Sequence, residues 1–170
     1  VMELMLGSLL QAEGEIEASL ECFHRAEKSD PTLPNLQFHF GSAYLGIRQW
    51  HKAEMAFRKF LENDPDHAEA SHGLSIALMR QRKFDESIEL ALRAVGLRHF
   101  FPAAHFQLGT VLAQLNQPER AALAFEHGLS MKPNSMVARR YLARLYYRLG
   151  DFRKCHEHQE ALSRFRQKQK

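Results

Sequence analysis

Pro31, Pro65 and Pro133 are separated by 34 residues and then by twice 34. A fixed period of that length constrains the fold more than any other feature, because one such unit cannot bury its apolar face alone and must stack on its neighbours. Placing each proline at position 32 brings the rest of the chain into register. Position 8 then holds Gly7, Gly41, Ser75, Gly109 and Ala143, and position 20 holds Ser19, Ala53, Ser87, Ala121 and Cys155. Position 7 holds Leu6, Phe40, Leu74, Leu108 and Leu142, and position 11 holds Leu10, Tyr44, Leu78, Leu112 and Tyr146. Position 24 holds Phe23, Phe57, Ala91, Phe125 and Gln159. Five units follow without insertion, at about 1–33, 34–67, 68–101, 102–135 and 136–170, and are expected to form one quasi-linear domain.

Apolar residues at positions 7 and 11 follow helical spacing and define one face of a first helix, A. Small residues at positions 8 and 20 let helix A approach a second helix, B, where a larger side chain would overpack the contact. Glu13-Gly14-Glu15, Arg48-Gln49 and Leu149-Gly150-Asp151 break the two helices apart. Pro34, Pro102 and Pro118 fall where a helix begins, the place that best tolerates a missing N–H. Asn63-Asp64-Pro65-Asp66 and Lys132-Pro133-Asn134 close one unit and open the next. The pattern predicts an all-α chain of five helical hairpins.

On these positions the chain resembles the tetratricopeptide repeat family along essentially its whole length. The resemblance implies a right-handed superhelical solenoid whose A helices line a concave face, and a role as a protein-interaction scaffold. Two departures stand out. The large apolar residue usual at position 4 is replaced by Glu3, Gln37, Ser71, His105 and Arg139, which predicts a looser contact between A helices. Position 32 of the third unit is His99, which predicts an altered turn there. The chaperone-binding branch of the family clamps a carboxylate with Lys and Asn at positions 5 and 9 of the first unit, where this chain has Leu4 and Ser8. The asparagine ladder found at position 6 in O-linked N-acetylglucosamine transferase is absent, since Met5, His39, Gly73, Gln107 and Tyr141 stand there. The stretch from Ala91 to Gly109 also looks like repeat regions attached to bacterial phosphodiesterases of the alkaline phosphatase superfamily, which makes an appendage of a larger enzyme the alternative function.

With positions 4, 7, 8 and 11 taken by packing, the free stripe of helix A is 2, 5, 9, 12 and 13, one helical face. In the first three units it presents Leu4, Phe38, Ser42, Leu45, His72, Ile76, Met79 and Arg80. In the last two it presents Phe106, Thr110, Arg140, Arg144, Tyr147 and Arg148. Arg140, Arg144 and Arg148 stand four apart, a like-charge spacing that disfavours a helix unless something negative lies opposite. The stripe is expected to take an apolar peptide segment or helix with an acidic group at the arginine end. A plainer reading stands beside it, with Phe38 and Phe106 as packing residues and the arginines as a solvated face.

The remaining features narrow the function. Charged residues make up 25% and apolar residues 45%, a balance that suits a folded chain, and the net charge of +3 is too small to point to nucleic acid. No apolar run reaches the roughly 20 residues of a membrane span. The apolar start, Val1 to Leu6, lacks the basic flank of a signal peptide, and the chain is expected to be a piece of a longer protein. Its exposed first unit could pair two copies through Val1, Met2, Leu4 and Met5. Cys22 and Cys155 lie on B helices four units apart, each unit advancing about 10 Å, too far for a disulfide, and a reducing compartment is the expectation. Ten histidines are scattered without HExxH spacing. The best metal candidate, Cys155-His156-Glu157-His158, has its cysteine at the small, packed position 20. Neither a cofactor nor a catalytic residue is implied. The fifth unit, with Gln159 at position 24, reads as a polar cap, its last basic residues frayed.

Overall fold

The computed structural model describes residues 1–167, together with the side chains of all of these but residue 166. The described residues form ten α-helices and no strand. Each repeat supplies two: α1 (Met2–Glu13) and α2 (Ile16–Ser29), α3 (Leu36–Gly46) and α4 (Trp50–Asn63), and α5 (Ala68–Arg80) and α6 (Phe84–Leu97). They continue with α7 (Pro102–Gln114) and α8 (Pro118–Met131), and α9 (Met136–Arg148) and α10 (Phe152–Gln167). The chain forms two compact units, Val1–Leu90 and the remainder from Ala91. Residues 168–170, where the basic tail was expected to fray, lie outside the described residues.

All five hairpins turn in the same way. Position 15 is left-handed in every repeat: Gly14 (φ 90°), Arg48 (60°), Arg82 (64°), Asn116 (57°) and Gly150 (76°). The next residue's N–H then reaches back to the carbonyl five residues before it, from Glu15 to Leu10, Gln49 to Tyr44, Lys83 to Leu78, Gln117 to Leu112 and Asp151 to Tyr146, at 2.9–3.0 Å. The N–H of position 15 bonds the carbonyl of position 12. Together these bonds make a Schellman closure, which satisfies the orphan carbonyls at the end of helix A. Pro102, at the start of a repeat, and Pro118, inside one, occupy the first position of α7 and α8, whereas Pro34 sits two residues before α3 in a turn capped by left-handed Asn35. Asp64 to His67 and Lys132 to Ser135 form turns, while His99-Phe100 is only a bend, so the junction lacking proline does differ locally.

The small positions do the work assigned to them. Ser19, Ala53, Ser87 and Ala121 are fully buried, and Cys155 nearly so. In the first unit the Phe57 ring lies between Gly41 and Gly73, where an added Cβ would come within 2.8 and 2.5 Å of it. Its neighbours Phe60, Leu74, Ala77 and Leu78 complete that cluster. A second cluster joins Phe23, Ala26, Leu36, Phe40 and Ala43. In the third repeat, where positions 8 and 20 are both serine, each hydroxyl donates to the other residue's carbonyl at 2.8 Å. Buried polar groups are thereby paired within the helix contact. In the second unit Phe125 packs on Gly109 and stacks on Tyr141, with ring centroids 4.7 Å apart.

Position 6, considered above for an asparagine ladder, is a packing position. Phenylalanine at position 24 meets it in the following repeat: Phe23 on His39 at 5.4 Å, Phe57 on Gly73 and Phe125 on Tyr141. At three of the five positions 4 the polar residue meets a polar group of the preceding or partner helix B, whereas the buried Ser71 hydroxyl has no partner among the described residues. Glu3 accepts from Arg25 at 2.9 Å, Gln37 donates to Glu27 at 3.4 Å, and His105 stacks on His127 at 5.9 Å.

Candidate partner-binding faces

In the first unit the stripe is half-buried. Leu4 packs against the cluster around Phe23 and Phe40, and Leu45 against the one around Phe57. The Phe38 ring touches Phe57, Phe60 and His67, with centroids 5.0–6.0 Å apart, so most of its apolar surface is spent inside the fold. Ser42, His72, Ile76 and Met79 are likewise half-buried. Arg80, the exposed member, lies over the Trp50 ring at 5.5 Å.

The second unit divides the same stripe differently. Phe106 stacks on Phe125 at 6.2 Å and presses against Gly128, and the Thr110 hydroxyl bonds the Phe106 carbonyl at 2.8 Å. Beyond them the stripe is open. Arg140, Arg144 and Arg148 are exposed, and Tyr147 keeps 66% of its surface with its edge on Phe152. Arg148 donates to the Asn116 side chain at 2.5 Å. Among the described residues neither Arg140 nor Arg144 has a carboxylate partner. Three like charges on successive turns thus face solvent with nothing to offset them.

One polar centre was not foreseen. Glu54, only 5% exposed, receives Lys83 on both oxygens at 3.0 and 2.9 Å, Gln81 at 2.7 Å and Arg58 at 2.9 Å. Arg58 also reaches Glu86 at 2.5 Å. Burial opposes the charge on Glu54, but the hydrogen bonds from Lys83, Gln81 and Arg58 outweigh it and hold the carboxyl below its usual range. The group ties α4 to the turn between α5 and α6, a structural rather than a recognition role. The sequence gives a hint of it only in the charged run Arg82-Lys83, because the bonds from Glu54 and Arg58 to Gln81, Lys83 and Glu86 span 27–29 residues.

Among the described residues no three His, Cys, Asp or Glu side chains gather as a metal site. Cys22 and Cys155 are free and buried, His156 lies 3.6 Å from Glu160, and His158 stacks on Tyr146. No helix of the described residues is long and apolar enough to cross a membrane.

Hairpins of fixed period, a small-residue contact and a position-24 ring are the marks of one family, and its model, described as Tetratricopeptide repeat, matches residues 38–105 and 106–154. The chain belongs to the tetratricopeptide repeat family. It is 23% identical over 137 residues to the BBSome complex member BBS4 homolog of Drosophila melanogaster, covering 81% of this chain and 28% of that protein. It is 25% identical over 134 residues to the probable UDP-N-acetylglucosamine–peptide N-acetylglucosaminyltransferase SPINDLY of Hordeum vulgare, covering 75% of this chain and 14% of that protein. Among solved structures, MamA 41-end from Desulfovibrio magneticus RS-1 superposes with a TM-score of 0.87 at 17% identity, over 99% of this chain and 95% of that one. The chain therefore spans little more than a quarter of the curated relatives it matches, or less, and the structural likeness shows the fold alone.

Proposed function

We propose that this tetratricopeptide chain is a protein-binding module that reads an acidic segment of a partner through helix α9. The supporting observation is the exposed ladder of Arg140, Arg144 and Arg148 beside the exposed ring of Tyr147. Arginine and tyrosine are the side chains that most often anchor protein interfaces, and charge-assisted hydrogen bonds to carboxylates would relieve the repulsion along the ladder. Phe106 and Thr110 border this patch, their exposed edges available to an apolar neighbour of the acidic group. In the first unit Leu4, Phe38, Ser42, Leu45, His72, Ile76, Met79 and Arg80 supply the corresponding stripe, with apolar edges over a packed floor. A pairing of two copies through the exposed Met2 and Met5 of α1 belongs to the same proposal.

The test is a pull-down from the source cell extract, comparing the chain with an R140E/R144E/R148E variant by mass spectrometry. A partner held by the parent and lost by the still-helical variant supports the reading. A partner held equally by both moves recognition away from α9. The second reading, an appendage of an enzyme, is supported by the match to SPINDLY, which is named as a probable transferase and of whose length the match covers 14%. A catalytic domain elsewhere in the same open reading frame is the observation that would establish it.

A further inference from the structure

The molecule contains the same cleft twice, once sealed and once open. Three repeats separate Tyr44 from Tyr146, so that α2, α3 and α4 correspond residue for residue to α8, α9 and α10 at a spacing of 102. Both tyrosines carry a lysine over the ring, Lys52 at 5.3 Å and Lys154 at 4.6 Å. Most of the other lining residues differ between the copies, and two of the differences, at the positions of His24 and Ala56, fall on the groups that touch Tyr146.

Around Tyr146 the cleft is filled from within. The His158 ring lies parallel to the tyrosine, at 3° and 5.9 Å between centroids. The Glu126 carboxylate accepts from the Tyr146 hydroxyl and lies 3.5 Å from the Lys154 ammonium. Around Tyr44 the residue in place of His158 is Ala56, and the one in place of Glu126 is His24. The ring parallel to the tyrosine and the carboxylate that accepts from its hydroxyl thus have no counterpart at these two positions, while Glu27, where the other copy has Leu129, lines the cleft and acts electrostatically on Tyr44. In their place is a cleft of about 280 Å³. Phe40 and Tyr44 form its floor, stacked at 14°, Met55 is 60% exposed at its rim, and Lys52 and Lys59 have no carboxylate partner among the described residues. Glu27 stands on the opposite wall, engaged by Gln37 at 3.4 Å and close to His24 at 3.7 Å.

We infer that the open cleft of α2, α3 and α4 binds a partner peptide through an aromatic side chain adjacent to a carboxylate, the two groups that its sealed counterpart supplies from its own chain. The ring stacks on Tyr44 in the space left by Ala56, and the carboxylate accepts from the tyrosine hydroxyl and from Lys52. Lys59, two helical turns from Lys52 on the same face of α4, widens the cationic rim. Ring stacking and a charge-assisted bond of this kind each contribute modestly, but together they select an aromatic–acidic pair over aliphatic or basic residues. This cleft is formed by positions 4, 7 and 11 of helix A and does not use the stripe of the preceding section, so the two proposals stand or fall separately.

The experiment is a selection of randomised heptapeptides on the intact chain, with counter-selection on the sealed variant H24E/A56H. That variant installs the two groups that contact the tyrosine in the closed copy, and its circular dichroism and melting midpoint show whether it remains folded. The retained peptides are expected to place Phe, Tyr or Trp within two positions of Asp or Glu. Synthetic versions should shift the Met55 methyl resonance saturably and bind H24E/A56H at least tenfold more weakly. A Lys52→Glu variant, altered at an exposed side chain, should show the same loss while folding normally. The inference is overturned if the retained peptides carry no such pair, or if they bind the folded sealed variant as well as the parent.

Discussion

The A-helix stripe of the first unit and that of the second occupy the same repeat positions and have opposite fates. In the first, Phe38 and Leu45 turn their apolar surface into the cluster around Phe57. In the second, Arg140, Arg144 and Tyr147 remain in solvent. Helical spacing marks a face but does not say whether the face is occupied. A side chain large enough to reach the neighbouring helix is drawn into the core, whereas a guanidinium stays hydrated at little cost. The proposed recognition therefore draws on the second stripe, while Phe38 and Leu45 of the first serve packing.

Several substitutions would break or sharpen this contrast. Phe38→Ala is expected to cost about 3 kcal/mol of stability, the low end of the range for deleting a phenylalanine ring because this one is half-buried, measured by denaturant melting. If Phe38→Ala left stability unchanged but abolished partner binding, the first stripe would be a recognition face after all. Glu54→Gln should cost about 2 kcal/mol, since three charge-assisted or amide donors lose their anion. The depressed carboxyl also sets a sign: its contribution is present above the unfolded value near 4.5 and is lost as pH falls through the lower folded value. Acid melting of the parent below that point should therefore be steeper than that of Glu54→Gln. The pair R140E/R144E should weaken partner binding about tenfold, roughly 1.4 kcal/mol, and leave helicity intact. Smallest, Arg82→Gly should raise stability by about 1 kcal/mol by relieving a left-handed backbone at a non-glycine residue.

Much of the packing was legible in the sequence because it rests on steric rules that act at fixed offsets. A glycine or serine at position 8 and a ring at position 24 announce a close helix pair, and Gly41 under Phe57 is that pair. The left-handed turn was legible only at Gly14 and Gly150. Arg48 and Arg82 adopt it against their preference, and Asn116 at a smaller cost, since the hydrogen bonds closing the hairpin outweigh the backbone cost. The partners of the polar residues at position 4 were not legible, since Glu3 and Gln37 reach Arg25 and Glu27 on helix B, which no local pattern reveals. The difference between the clefts at Tyr44 and Tyr146 escaped notice for a similar reason, because a repeat alignment shows which residues correspond but not which of them leave a space.

The uniform turn at position 15 has a consequence for how the chain acquires its structure. Its closing bond spans five residues in every hairpin, so loop closure costs little entropy and can occur before any neighbour has formed. The protein thus holds five local starting points rather than a single nucleus, and structure can spread from any of them along the array. They are not equal. Gly14 and Gly150 enter the left-handed region without penalty, while Arg48, Arg82 and Asn116 must be held there, so the hairpins at the two ends are primed to close first and the middle ones to follow.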